Sequence, residues 1–141
     1  MAKFDDSLVA VTSRSFSTNQ FLVKKLKESY PNVSLNLTGK TLKENELVKF
    51  LANADKAIVG IEIIDKDILD QLPKLKLISK YGVGLNNLDL DECKKRNIQI
   101  KFQPGSNKQS VAEYTLLLML NSLRQAVSYT HLRAHETMST L

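Results

Sequence analysis

The stretch LKLISKYGVGLNNLDLDECKKRNIQIKF, residues 75–102, contains a complete strand, turn, helix and strand in succession. The apolar run 75–79 predicts a strand, and the glycine turn 81–87 separates this strand from a helix at 88–97. That helix has acids in its first turn and bases in its last, as the helix dipole favours. Residues 98–102 predict the next strand, so the stretch indicates two parallel strands joined by a helical crossover.

The same alternation extends back to the N-terminus. Three further runs predict strands, at 7–13, 33–37 and 56–60, and three helical patterns follow them, at 17–30, 41–51 and 65–73. The run KAIVG at 56–60 is apolar without alternation, which is typical of a strand covered on both faces. Thr41 and Glu44 have the spacing of a capping box. Five strands alternating with helices predict an α/β fold, a flavodoxin-like doubly wound parallel sheet.

A long helix is predicted after the last strand, with Ser110 and Glu113 as a second capping box. Its sequence, SVAEYTLLLMLNSLRQ, is apolar on nearly all sides, and such a helix requires burial from several directions. It is either the central helix of the same domain or a crossover helix entering a further domain or a dimer interface. We expect the second arrangement, with a folded domain at 1–105, the crossover helix at 106–126 and a separate tail at 127–141.

Composition and charge exclude several classes of protein. The chain has 141 residues, 43% hydrophobic and 25% charged, which is the composition of a single soluble globular domain. Its net charge of +5 is spread over separate elements without interleaved aromatic residues, so we expect no nucleic-acid partner. The longest apolar run, 116–120, is too short to span a membrane. A single cysteine, Cys93, and the lack of an N-terminal secretory pattern predict a cytoplasmic protein.

The glycine turn is the strongest candidate for a binding site. Gly82 and Gly84 flank Val83, and such a backbone can present successive N–H groups to an anion. Lys80 adds a positive charge beside them. A dinucleotide fingerprint would require a third glycine where Asn87 stands, so that motif is not present. From the residues alone, an anion site and a purely structural turn both remain open.

Three segments resemble the N-terminal part of the D-2-hydroxyacid dehydrogenases, and the phosphoglycerate dehydrogenase branch in particular. They are AIVGIEIIDKDIL, LISKYGVGLNNLDLDECKKRNI and PGSNKQSVAEYTLLLMLNSLRQ. The resemblance implies an NAD-dependent oxidoreductase acting on the CH–OH group of a D-2-hydroxy acid, with 3-phosphoglycerate as one candidate. It also implies that this segment is the substrate-binding domain, that the long helix crosses into a separate NAD-binding domain, and that the whole protein is a homodimer.

The resemblance also implies the residues of the site. The substrate-binding residues would be Gly60, Ile61, Lys80, Tyr81, Gly82, Val83 and Gly84, with the substrate carboxylate held by backbone N–H groups of the 80–84 turn. Val83 and Asn107 would lie on the cofactor side of the cleft. Asn86 stands where the family usually has aspartate, and its amide could still cap the following helix.

The family's catalytic arginine, glutamate and histidine, and its glycine-rich phosphate loop, would follow the crossover helix and are not in this sequence. Hydride transfer from a hydroxy acid requires a general base as well as the nicotinamide. We therefore expect a truncated fragment that by itself neither oxidises a hydroxy acid nor binds NAD tightly. The alternative is a non-catalytic small-acid-binding or regulatory module with the same fold.

The segment VSYTHLRAHET, residues 127–137, contains both histidines of the chain. His131 and His135 have the i, i+4 spacing that can begin a zinc site, but such a site needs at least one more ligand and a rigid frame. All eleven residues also resemble the translation of the transposase adapter used in short-read sequencing libraries. We therefore expect an artefactual tail over 127–141 and no metal site.

Overall fold

Residues 5–124 are described by the structure, a computed structural model. Its sheet has five strands, namely β1 Val9–Val11, β2 Val33–Leu35, β3 Lys56–Val59, β4 Leu77–Lys80 and β5 Gln99–Lys101. All neighbouring strands are parallel, in the order β2-β1-β3-β4-β5. This is the flavodoxin-like order, so the predicted fold is confirmed, although each strand is shorter than its apolar run.

Six helices connect and follow the strands: α1 Arg14–Thr18, α2 Gln20–Ser29, α3 Glu44–Leu51, α4 Lys66–Asp70, α5 Leu90–Lys95 and α6 Lys108–Arg124. The single helix predicted at 17–30 is in fact two helices. Asn19 has an extended backbone and separates them, and its side chain accepts a hydrogen bond from the N–H of Leu22 at 3.1 Å. An asparagine in this position caps the second helix, and this interrupts the first.

Both predicted capping boxes are wrong. Lys43, not Thr41, occupies the N-cap position of α3 and makes no side-chain capping bond. Helix α6 begins at Lys108, before Ser110, so Ser110 lies inside the helix. The Ser/Thr-x-x-Glu spacing of a capping box also occurs by chance in positions that do not begin a helix. The backbone path, set by packing elsewhere, decides which residue caps the helix.

Helix α5 is capped by Asp89, not by Asn86. The Asp89 carboxylate accepts a hydrogen bond from the N–H of Glu92 at 2.9 Å, because Asp89 directly precedes the helix and Asn86 does not. The predicted charge pattern of this helix is confirmed, with acids in the first turn and lysines in the last.

The core lies between the sheet and the helices packed on it. Ala10, Val59 and Ile78 on the central strands are fully buried, and α3 adds Leu47 and Leu51. The strand predicted at 56–60 is covered more completely on one face than on the other. Ala57 and Val59 are buried, whereas Lys56 and Ile58 are half-buried, and no residue of the neighbouring helix α2 is fully buried.

The chain divides into two compact units, one ending at Pro104 and the other beginning at Gly105. The first contains the sheet and helices α1 to α5. In the second, helix α6 is apolar on nearly all sides, and its large apolar side chains from Val111 to Leu123 are at least half exposed. No helix within residues 5–124 is long and apolar enough to cross a membrane.

Candidate functional site

Two of the predicted turns lie side by side at the carboxyl ends of β3 and β4. The Ile64 N–H donates to the Asn87 carbonyl at 2.8 Å, and the Asp89 N–H donates to the Ile64 carbonyl at 2.9 Å. Ile64 and Leu88 thus form an isolated parallel bridge beyond the sheet. These bonds hold turn 60–64 against turn 81–88, which is the edge where ligands bind in doubly wound folds.

Side chains from the second turn also hold the first. The Lys80 ammonium donates a hydrogen bond to the Gly60 carbonyl. The Asn87 side-chain amide donates to the carbonyls of Gly60, at 3.3 Å, and Glu62, at 2.5 Å. Asn87, which replaces the third glycine of a dinucleotide fingerprint, therefore has a structural role in joining the two turns.

Glu62 is a buried acid at the centre of this arrangement, and sequence reasoning missed it. Its side chain is 2% exposed, and its carboxylate accepts hydrogen bonds from the Thr12 hydroxyl at 2.8 Å and from the Gly60 N–H at 2.9 Å. The N–H of Gly60 is therefore not available to a substrate. The signal in the sequence was a lone acid in the otherwise apolar segment AIVGIEII, since a buried charge requires built-in partners.

Gly60 is required by close packing. A Cβ atom at this position would lie 3.2 Å from Ser13 Cβ and 3.3 Å from Glu62 Oε2. Strand β1 is followed by Ser13 and strand β3 by Gly60, so the ends of the two strands approach each other across the site. A side chain at residue 60 would push the β1 loop and the buried carboxylate apart.

We expect Glu62→Ala to lower the free energy of unfolding by about 1–3 kcal/mol, because the Thr12 hydroxyl and the Gly60 N–H lose a buried acceptor. Glu62→Gln is expected to cost less, since an amide oxygen can replace one carboxylate oxygen. Urea unfolding followed by circular dichroism measures both effects. Glu28→Ala is the control, because Glu28 forms only an exposed ion pair with Lys25. Equal losses at residues 62 and 28 would contradict the role given to the buried carboxylate.

The Lys80 ammonium has an altered pKa. Desolvation by burial lowers the pKa of Lys80 below its ordinary value, and the nearby Glu62 carboxylate partly opposes that shift. Lys80 is half-buried, directly before the turn. It therefore supplies positive charge to the site in a partly desolvated setting, where charge acts more strongly than at the surface.

The turn itself has free backbone donors. The Tyr81 N–H donates to the Val59 carbonyl at 2.8 Å and so continues the sheet. The N–H groups of Gly82, Val83 and Gly84 meet no acceptor within residues 5–124. Gly82 has a φ of 148°, a conformation that favours glycine. Consecutive N–H groups without a protein acceptor are the donors from which a small-anion site can be built.

A cavity of about 440 Å³ adjoins this turn. It brings together Gly60, Ile61 and Tyr81 of the predicted site residues, whereas Lys80, Gly82, Val83 and Gly84 do not line it. The remaining lining residues, which sequence reasoning missed, are Ser13, Arg14, Ser15, Thr18, Gly39 and Glu62. They follow β1, β2 and β3, and residues so distant in sequence carry no common motif.

The other predicted features are Asn107 and the histidine pair. Asn107 directly precedes α6, as predicted, and its carbonyl accepts a hydrogen bond from the Val111 N–H at 3.0 Å. It belongs to the second compact unit, and its place on the cofactor side remains a prediction. His131 and His135 are outside the described residues. Within residues 5–124, no group of three histidine, cysteine or acidic side chains could hold a metal ion.

The fold is an α/β domain, and a glycine turn with unpaired backbone N–H groups lies at the carboxyl edge of its sheet. Residues 9–140 match the family model of the D-isomer specific 2-hydroxyacid dehydrogenase catalytic domain. The chain belongs to the D-2-hydroxyacid dehydrogenase family.

Individual relatives agree with this assignment. The chain is 32% identical over 114 residues to a putative 2-hydroxyacid dehydrogenase of Staphylococcus epidermidis, covering 72% of this chain and 36% of the relative. It is 37% identical over 92 residues to D-3-phosphoglycerate dehydrogenase of Mycobacterium leprae, covering 64% and 17%. The crystal structure of Aquifex aeolicus D-lactate dehydrogenase, complexed with NAD and lactic acid, is similar with a TM-score of 0.57 and 28% identity, covering 81% and 33%. The chain thus spans about a third or less of these proteins.

Proposed function

We propose that this chain is the substrate-binding part of an NAD-dependent oxidoreductase that acts on the CH–OH group of a D-2-hydroxy acid. The observation that carries the proposal is the row of free N–H groups at Gly82, Val83 and Gly84, with the Lys80 ammonium beside it. A carboxylate supplies the acceptors that these donors lack. The predicted roles of Gly60 and Ile61 are then to shape the adjoining wall, because the Gly60 N–H is bonded to Glu62.

The residues described here do not form an NAD site by themselves. The only G-x-G sequence within residues 5–124 is the turn, and Asn87 takes the place of its third glycine. NAD would accept the hydride in the whole protein, and on the family resemblance we propose Val83 and Asn107 as cofactor-side residues. Since no histidine lies within the described residues, we propose that the isolated chain neither binds NAD tightly nor oxidises a hydroxy acid.

The whole protein's substrate and assembly are also proposals. The similarity to the mycobacterial D-3-phosphoglycerate dehydrogenase supports 3-phosphoglycerate as a candidate substrate. A cytoplasmic homodimer is proposed on the family resemblance and on the exposed apolar side chains of α6. A non-catalytic small-acid-binding module is the alternative. Resequencing the source locus beyond codon 126 distinguishes these two functions, because a G-x-G-x-x-G segment there would support the dehydrogenase. The same sequence also tests the predicted adapter tail.

Titration of the isotope-labelled chain with D-lactate tests the proposed carboxylate site. We expect the amide NMR signals of Gly82, Val83 and Gly84 to shift most, because their N–H groups gain an acceptor. Lactamide, which has the same shape without the charge, is the control and is expected to shift them far less. Equal shifts with lactamide, or an unmoved turn at millimolar D-lactate, would rule out a carboxylate site at these residues.

The same titration at several pH values tests the contribution of Lys80. Its pKa is lowered, so its positive charge is complete below that pKa and is lost as the pH rises through it. The affinity for D-lactate should therefore begin to fall at a lower pH than an ordinary lysine would allow. The Lys80→Arg variant keeps its charge over this range, so its affinity for D-lactate should not change with pH. A fall of the same size in Lys80→Arg would exclude Lys80 as its cause.

A further inference from the structure

The cavity beside the turn has a positively charged side chain, Arg14, in its lining. Tyr81 belongs to the turn by sequence and lines the cavity by position, and its ring meets Phe16 edge-on, with centroids 5.4 Å apart. Because Tyr81 directly precedes Gly82, the cavity borders the turn that carries the proposed carboxylate site. The β1–α1 segment forms another part of the lining, where Arg14 and Ser15 are both exposed.

Arg14 is available to a ligand. Its Nη1 atom donates to the Gly39 carbonyl at 3.2 Å, which steadies the guanidinium on the cavity wall. Within residues 5–124 no carboxylate forms an ion pair with it. A guanidinium has five N–H donors in a planar fork, so one bond to a carbonyl leaves donors for a carboxylate or phosphate.

Several other polar groups of the cavity already have partners, and the Ser15 hydroxyl lies 3.3 Å from the Ser13 hydroxyl. The Glu62 carboxylate is bonded to Thr12 and Gly60 and is almost completely buried. The Ser13 hydroxyl accepts from the Phe16 N–H, and the Thr18 hydroxyl donates to the Arg14 carbonyl. Arg14, with the hydroxyl of Ser15, is therefore the group best suited to bind a second polar end of a ligand.

The geometry points to a substrate with two anionic ends. Resting on the proposed function, we infer that Arg14 and Ser15 bind a second anionic group, a phosphate or carboxylate, at the end of a 2-hydroxy acid whose own carboxylate lies at the 82–84 turn. A cavity of about 440 Å³ is within the usual size range of small-ligand sites. Arg14 would thus discriminate between doubly and singly anionic hydroxy acids.

Two matched pairs of ligands test this inference on the 141-residue chain by NMR titration. D-3-phosphoglycerate is compared with D-glycerate, and D-2-hydroxyglutarate with D-2-hydroxybutyrate, so that phosphate and carboxylate are examined separately. In at least one pair we expect the doubly anionic acid to bind about tenfold more tightly, which is the contribution of one charge-assisted contact. Arg14→Gln should reduce that ratio to near one while leaving the affinity for the singly anionic acid unchanged.

Lys24→Gln is the matched control for net charge, because Lys24 is exposed on α2 and does not line the cavity. It should keep the tenfold preference. The inference is overturned if neither pair shows tighter binding of the doubly anionic acid. It is also overturned if Arg14→Gln retains that preference, or if Lys24→Gln loses it to the same extent. If the singly anionic acids shift the 82–84 signals in those cases, only the role of Arg14 fails. If no acid shifts them, the proposed function fails as well.

Discussion

Replacing Ile78 with alanine is expected to lower the free energy of unfolding by about 2–5 kcal/mol. Ile78 lies in the middle of β4 and is completely buried, with Ala57 of β3 and Ile100 of β5 as its neighbours in the sheet. Truncation removes apolar contacts and leaves a cavity that central strands cannot close without losing their pairing. Urea unfolding followed by far-ultraviolet circular dichroism measures the loss.

Ile63→Ala provides the control for this experiment. Ile63 is the same residue type but is 66% exposed, in the turn that follows β3. Its truncation should change the free energy of unfolding by no more than about 0.5 kcal/mol. If the two variants lose equal stability, Ile78 cannot be the buried core residue described above.

Gly82→Ala is expected to have the largest effect on ligand binding. The φ of 148° at Gly82 is rarely adopted by other residues, so alanine either strains the chain by about 1–3 kcal/mol or forces the turn into another conformation. In the second case the N–H groups of residues 82–84 change direction. We expect the affinity for D-lactate to fall about tenfold, the equivalent of one charge-assisted hydrogen bond, as measured by the NMR titration.

Gly84→Ala separates backbone strain from the mere addition of a methyl group. The φ of Gly84 is not in the strained range, and a Cβ there would lie 3.1 Å from Asn86 Oδ1. Asn86 is exposed, and its side chain can move aside. The free energy of unfolding of the Gly84→Ala variant should therefore stay within about 0.5 kcal/mol of that of the parent protein. A Gly82→Ala variant with unchanged stability and unchanged affinity would show that the positive φ has no role.

Most of the fold could be predicted from the sequence because its signals are local. The apolar runs at 75–79 and 98–102, with an amphipathic helix between them, identify a strand-helix-strand unit without reference to distant residues. The helix dipole pattern of α5 is local as well, and the structure confirms it. Strand ends and caps were less predictable. The residue before a helix is selected by the path of the whole loop, which is why Lys43 replaces Thr41 as the N-cap of α3.

The site was only partly predictable. Turn 80–84 is a single segment, and its two glycines identify it. Arg14 and Glu62 gave no comparable signal, because the role of each depends on partners far along the chain. The Thr12 hydroxyl that binds Glu62 is 50 residues away, and the Gly39 carbonyl that steadies Arg14 is 25 residues away.

The amino-acid sequence by itself determined the α/β class, the five strands and the glycine turn, since periodicity and backbone freedom are properties of short segments. Only the tertiary structure decided which donors remain free. It joins the Gly60 N–H to Glu62 and the Tyr81 N–H to the sheet, and among residues 5–124 it provides no acceptor for the amides of residues 82–84. The physical reason is that hydrogen-bond availability depends on which strand ends meet at the sheet edge, and that is set by the packing of the whole domain.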